Sequence, residues 1–247
     1  MRRRRPRAVA FDFGNTLVEI GYPAAGLRAA GLVLIDRLEL AKLPLPAEEL
    51  GVAVDARVDH LVAAAHRRRP LREVDIEGVY HRALGHVLRR RLPAEAGAVA
   101  CEALQPPWEE VVSVRPGVLE ALVGLRADGL RVGLLSNAPY PPKVLHRILR
   151  RVRLAPLLDV AMFSSEVGVR KPSPAVFQLL LDGLGLEAAD TWFVGDEWRA
   201  DIQGAVRAGM VPLLAPGAPP VPDPAVRRLR SFEELGELLH LPSEVGA

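Results

Sequence analysis

The chain has 247 residues, 49% of them apolar and 25% charged, which suits a soluble globular protein with one core or a core carrying an inserted lid. Its 32 basic and 30 acidic side chains leave a net charge of +2, which gives no electrostatic case for a nucleic-acid or membrane partner. No apolar run approaches the ~20 residues of a spanning helix, and the lone Cys101 excludes an intrachain disulfide and fits a reducing, cytoplasmic setting.

The Arg-rich start, Met1 to Arg7, is charged like the head of a signal peptide. The apolar run behind it, Ala8 to Phe11, is too short for one, so the start reads as a solvated tail before a first strand. That run ends in Asp12-Phe13-Gly14-Asn15-Thr16-Leu17. A buried strand thus delivers a carboxylate to a turn. From about Ile20 to Ser113 clear strand runs are absent. Ala, Leu, Arg and Glu dominate, with helical spacing at Leu32, Ile35 and Leu38 and at Val58, Leu61 and Val62, and Pro44, Pro46, Pro70, Pro93, Pro106 and Pro107 cut the stretch into helices.

Beyond this block, strands and helices alternate. Strand runs are expected at Leu130 to Leu135, Val160 to Phe163, Trp192 to Val194 and Val211 to Leu214. Helices are expected at Pro116 to Arg126, Pro142 to Arg153, Pro174 to Leu184 with Ser173 as N-cap, and Asp201 to Ala208. A Pro-rich loop, Pro216 to Pro224, precedes a terminal helix near Phe232 to Leu239. The alternation predicts an α/β fold, a doubly wound parallel sheet. Residues 1–19 and 114–247 form this core. Residues 20–113 form an inserted α-helical cap, placed over the carboxyl ends of the strands, where open α/β sheets bind ligands.

Four polar signals follow strand-like runs: Asp12 with Thr16; Ser136-Asn137; Lys171-Pro172; and Gly195-Asp196 with Asp201. Each alone has a plain structural reading. Asp12 or Ser136 can serve a turn, Lys171 can be surface charge, and Asp196 and Asp201 can cap a helix. Taken in order, they resemble the haloacid dehalogenase-like (HAD) hydrolase superfamily. Gly195-Asp196, Asp201-Ile202, Gly204-Ala205 and Ala208-Gly209-Met210 are similar to that family's last motif nearly throughout. The resemblance covers Val9 to Leu17 and Pro116 to Leu214 and does not constrain the cap.

The resemblance implies a Rossmann-like core and Mg²⁺-dependent hydrolysis of a small phosphorylated compound through an aspartyl-phosphate on Asp12. It makes Asp12, Thr16, Ser136 and Lys171 catalytic. Ser136, Asn137 and Lys171 bind the substrate phosphate. Asp12, the Gly14 carbonyl, Asp196 and Asp201 serve the metal, Asp201 through water or other indirect support.

The family's phosphatases carry an Asp two residues after the nucleophile, which protonates the leaving group and then activates water. Here Gly14 stands there. Its carbonyl is retained, but general acid–base help, worth about 10²–10⁴-fold, is lost. Glu19, Glu197, His60 or His86 could replace it. Alternatively the substrate has a good leaving group, or the chain is a slow or non-catalytic binding protein. Two related chemistries also lack that Asp. A 2-haloacid dehalogenase needs neither metal nor acid, but tends not to keep the acidic Gly-Asp pair present at Gly195-Asp196. A phosphonate hydrolase uses a cap lysine, and Lys42 is the cap's lysine. Substrate and oligomeric state carry no readable motif.

Overall fold

The computed structural model describes residues 5–240. Residues 1–4 of the Arg-rich tail and residues 241–247 at the end of the expected core lie outside the described residues. In chain order the elements are β1 (Ala8–Phe11), β2 (Val18–Ile20), α1 (Ala24–Arg37), α2 (Leu50–Arg68), α3 (Ile76–Leu88), α4 (Ala96–Leu104), α5 (Pro106–Glu110) and β3 (Val112–Val114). There follow α6 (Val118–Ala127), β4 (Arg131–Ser136), α7 (Pro142–Arg151), β5 (Val160–Phe163), α8 (Ser164–Val167), α9 (Pro174–Leu184), β6 (Thr191–Gly195), α10 (Gln203–Arg207), β7 (Val211–Leu214) and α11 (Glu234–His240). The chain forms two units. One is α/β and takes Met1–Glu19, Ser113–Ala138 and Leu145–Ala247; the other is helical and takes Ile20–Val112 and Pro139–Val144. Among the described residues no helix is long and apolar enough to cross a membrane.

The α/β unit is built on a five-stranded sheet ordered β5-β4-β1-β6-β7, with every pair parallel. Its strands read as short apolar runs because parallel strands are covered on both faces. All four residues of central β1 are buried. Phe11 lies opposite Leu134 on one side and Val194 on the other. The register therefore sets Asp12, Ser136 and Asp196 at the same carboxyl edge. The strand order reverses at β1, with β4 and β5 to one side and β6 and β7 to the other, so this edge is the topological switch point where such sheets open a crevice.

Helix α9 shows how sequence pattern becomes packing. Pro174 sets its first turn, and Val176, Phe177, Leu180, Leu181 and Leu184 recur at helical spacing and are buried with Ala8, Ala10 and Phe193. Phe177 meets Phe193 edge-on, ring centroids 5.2 Å apart. Ser173 occupies the N-cap position, but its hydroxyl makes no capping bond.

Several boundaries differ from the sequence expectation. Gly117 is left-handed at φ 77° and starts α6 at Val118, so Pro116 stays outside the helix. The helix expected at Asp201 opens earlier, as a wide turn over Trp198–Ile202 in which the Ile202 amide reaches back to the Glu197 carbonyl at 3.3 Å. Strands β2 and β3, three residues each, pair where the chain leaves and re-enters the α/β unit. They are too short to register as periodic runs.

The helical unit packs Leu27, Leu34, Leu50, Val54, Tyr80, Leu84 and Leu104 into one core. The buried stripe of α1 is Leu27, Ala30, Gly31 and Leu34. Leu32 is not part of it and is 51% exposed, because one residue beyond Gly31 the helix has turned by about 100°. Gly51 lets α2 cross α1 closely: a Cβ there would collide with the Leu27 carbonyl. Tyr140, from the segment that joins this unit late in the chain, packs against the same core.

Candidate active site

Asp12 follows β1, and its amide donates to the Val194 carbonyl of β6 at 2.9 Å. The carboxylate is therefore fixed to the sheet's carboxyl edge, and the residue is only 8% exposed. Lys171, 3% exposed, reaches the same point from the loop between α8 and α9. Its Nζ donates to Asp12 Oδ1 and to Asp201 Oδ1, each at 2.6 Å, and lies 5.3 Å from the Phe193 ring centroid. Asn137 braces this lysine: its Oδ1 accepts from the Lys171 amide at 2.8 Å, and its Nδ2 donates to the Lys171 carbonyl at 3.0 Å.

The loop after β6 supplies the other acids. Asp201 Oδ2 accepts from the Glu197 amide at 2.9 Å. Glycine is needed at 195, since a Cβ there would collide with the Asp201 side chain. Thr16 Oγ1 donates to Asp196 Oδ1 at a long 3.5 Å. One oxygen each from Asp12, Asp196 and Asp201 fall within 4.8 Å of one another. Ser136 closes β4 and is buried. Gly14 is half-buried and forms an isolated bridge with Val18, and Asn15 beside it is left-handed at φ 56°.

Three carboxylates around one ammonium leave an excess of negative charge. Burial pushes Asp12 up to about 7 against the pull of Lys171, and Asp201 and Asp196 add to the rise. Burial and then Asp201 also raise Asp196. Burial alone would lower the Lys171 ammonium, but Asp12 and Asp201 outweigh it, so the lysine is held above its ordinary value and stays charged. The donors are hard oxygens, as Mg²⁺ requires. Because Asp201 gives both oxygens to Lys171 and Glu197, Asp12 and Asp196 are the acids left to face an ion directly. The residues fit a divalent cation.

The structure thus brings Asp12, Thr16, Lys171, Asn137, Asp196 and Asp201 into one linked cluster, with Ser136 at the same strand edge. Of the groups considered as substitutes for the acid at Gly14, Glu19 is exposed and lies 3.8 Å from Arg115 Nε. Glu197 gives its amide to Asp201, and burial followed by Asp201 raises its carboxyl. His60, His86 and Lys42 are exposed on the helical unit. Sequence reading missed Arg115, which grips the loop after Asp12 through the Asn15 carbonyl at 2.7 Å. No pattern separates it from the chain's other arginines.

The profile of the haloacid dehalogenase-like hydrolase family matches residues 6–209. The phosphoglycolate phosphatase of Salmonella typhi is 32% identical over 215 residues, covering 82% of this chain and 78% of the relative. That of Escherichia coli K12 is 29% identical with the same coverage. Among solved structures, the 2-haloacid dehalogenase of Pseudomonas syringae pv. tomato DC3000 superposes with TM-score 0.67 at 24% identity, covering 95% of this chain and 98% of the other. The HAD-hydrolase YfnB of Bacillus subtilis, solved bound to magnesium, gives TM-score 0.65 at 18% identity, covering 96% and 100%. At these identities the two structures speak to the fold alone.

Proposed function

Because this chain belongs to the haloacid dehalogenase-like hydrolase family, we propose that it is a Mg²⁺-dependent phosphohydrolase that works through an aspartyl-phosphate on Asp12. The observation that carries this reading is Lys171 bridging Asp12 and Asp201 beside Asp196 at the switch-point edge of the sheet. An Asp12 carboxylate oxygen attacks phosphorus, and the bond from phosphorus to the leaving oxygen breaks. Lys171 screens Asp12 from the incoming phosphate and, with Ser136, neutralises phosphoryl oxygens. Asn137 serves the same end by holding the Lys171 backbone. Water then cleaves the acyl-phosphate and returns Asp12. Asp12, Asp196 and the Gly14 carbonyl would hold the cation, which when bound neutralises charge on the transferring group. Residues 20–113 serve as the cap that selects the substrate. Phosphoglycolate, the two-carbon phosphoester for which the relatives are named, is the first compound to try.

Gly14 gives this enzyme a specific handicap. With no side chain to protonate the departing oxygen, hydrolysis depends on how well the leaving group departs unaided. Aryl and acyl phosphates should therefore outpace alkyl phosphates. Gly14→Asp should raise turnover of alkyl phosphates by about 10²–10⁴-fold and flatten that dependence. No gain in a folded Gly14→Asp protein would mean that another group already moves this proton.

Phosphate release from a panel of phosphoesters, with and without Mg²⁺, tests the proposal. Wild type should release phosphate only with the metal, and Asp12→Asn should release none. Equal release by both proteins would remove Asp12 as nucleophile. Gly14 also suits a dehalogenase, and halide release from a 2-haloacid in EDTA would replace the phosphatase reading with that one.

A further inference from the structure

The loop that carries Gly14 is held by one side chain that the chemistry above does not use. Arg115 lies between β3 and α6, its side chain 17% exposed. Nη1 donates to the Asn15 carbonyl at 2.7 Å and to the Thr16 carbonyl at 3.3 Å. The Arg115 amide donates to the next carbonyl, that of Leu17, at 3.0 Å. Three successive carbonyls of the nucleophile's loop are thus taken by one residue. The guanidinium is itself pinned from the far side. Nη2 donates to the Pro216 carbonyl at 2.9 Å, and the group lies 5.8 Å from the Phe232 ring centroid.

The loop needs such a restraint. Glycine at 14 has more backbone freedom to lose on ordering than any other residue. The next residue, Asn15, sits in the left-handed region at φ 56°, which only a few residue types tolerate. The same short loop ends in Thr16, whose hydroxyl reaches Asp196. A planar fork, with one nitrogen on the loop carbonyls and the other fixed on Pro216, is better suited than an ammonium to tie these two segments together.

We infer that Arg115 is a positioning residue for the metal site: its Nη1 on the Asn15 and Thr16 carbonyls, braced by Nη2 on the Pro216 carbonyl, sets the Gly14–Thr16 backbone, and through it the approach of a divalent cation to the Gly14 carbonyl and Asp196. The inference rests on the metal-dependent reading above. It assigns Arg115 no contact with substrate.

The test uses the full chain and Mg²⁺ alone. Calorimetric titration gives the Mg²⁺ dissociation constant of folded wild type, Arg115→Gln and Arg115→Lys, and hydrogen exchange follows the amides of residues 13–17. Arg115→Gln should weaken Mg²⁺ binding about tenfold, the scale seen when outer partners of metal ligands are lost. It should also speed exchange in that loop. Arg115→Lys, which keeps the charge without the fork, should fall between. A purely structural arginine would lower Tm while leaving Mg²⁺ affinity and loop exchange of the folded protein at wild-type values, and that result overturns the inference. If Arg115→Gln does not fold, wild-type affinity and exchange in Arg115→Lys overturn it equally. Asp196→Asn separates the two ideas. Should it bind Mg²⁺ as wild type does, the metal reading fails, and loop exchange alone decides whether Arg115 holds the backbone.

Discussion

Two buried charged groups, Lys171 in the α/β unit and Asp55 in the helical unit, are held in opposite ways. In the α/β unit, the buried Lys171 ammonium is shared between two carboxylates at 2.6 Å, and its backbone is bracketed by Asn137. In the helical unit, buried Asp55 accepts from Trp108 Nε1 at 2.9 Å through one oxygen, while Oδ2 has no partner. Lys171 is paired and pinned on several sides, because an unpaired charge at so dry a position would be too costly. Asp55 has no such network, and burial pushes it up to about 6, helped by Asp59 and resisted by Trp108.

The largest effect should come from breaking the paired side. Lys171→Met leaves Asp12, Asp196 and Asp201 facing one another without their cation. Denaturant unfolding should show a loss of about 3–5 kcal/mol. Phosphate release should fall by at least about 10²-fold, since a charge aimed at the transferring group is gone. An unchanged unfolding midpoint would mean that Lys171 carries no such burden.

The half-paired side predicts a smaller effect of opposite sign. The Asp55 pKa is raised from 3.8 to about 6 on folding, so between those values the native state binds more protons than the unfolded one. Its contribution to stability is therefore greatest below pH 3.8 and declines as pH climbs to about 6, by about 3 kcal/mol at most. Asp55→Asn keeps an acceptor for Trp108 and cannot ionise. It should flatten this slope and raise stability at neutral pH. A slope equal to wild type would show that Asp55 is not its source.

The same contrast explains how much the sequence disclosed. The five sheet strands were legible because each is a short apolar run, four of them closed by Gly, Ser or Asp, as in Trp192-Phe193-Val194-Gly195-Asp196, and β7 followed by Ala215-Pro216. The polar residues at those strand ends were legible with them, since the register brings strand ends together whatever the loops do. Relations set by loop geometry were not. Nothing in Val114-Arg115-Pro116 foretells that Arg115 grips Asn15 and Thr16. Nor does the run after Asp196 show that Asp201 sits in a wide turn rather than an α-helix. In the helical unit, apolar periodicity indicated helices but misplaced one residue, Leu32, while Ile35 and Leu38 pack against the core. Leu32 shares the spacing of Ile35 and Leu38, yet α1 buries Gly31 and Leu34, because the close crossing at Gly51 decides which stripe turns inward. Asp55 escaped notice for a similar reason. On an amphipathic helix a carboxylate reads as solvent-facing, and the donor that meets it, Trp108, lies more than fifty residues away.

On the reading proposed above, Asp12 is the nucleophile that takes up the phosphoryl group at a site whose acid is missing. Rapid acid quench during turnover of an aryl phosphate with Mg²⁺, followed by peptide mass mapping, tests it most directly. A phosphoryl group is expected on the peptide carrying Asp12, absent from Asp12→Asn, with more of it trapped in wild type than in Gly14→Asp because the second step also lacks its base. Turnover at the wild-type rate by Asp12→Asn, or a phosphoryl group on any other residue, would contradict it.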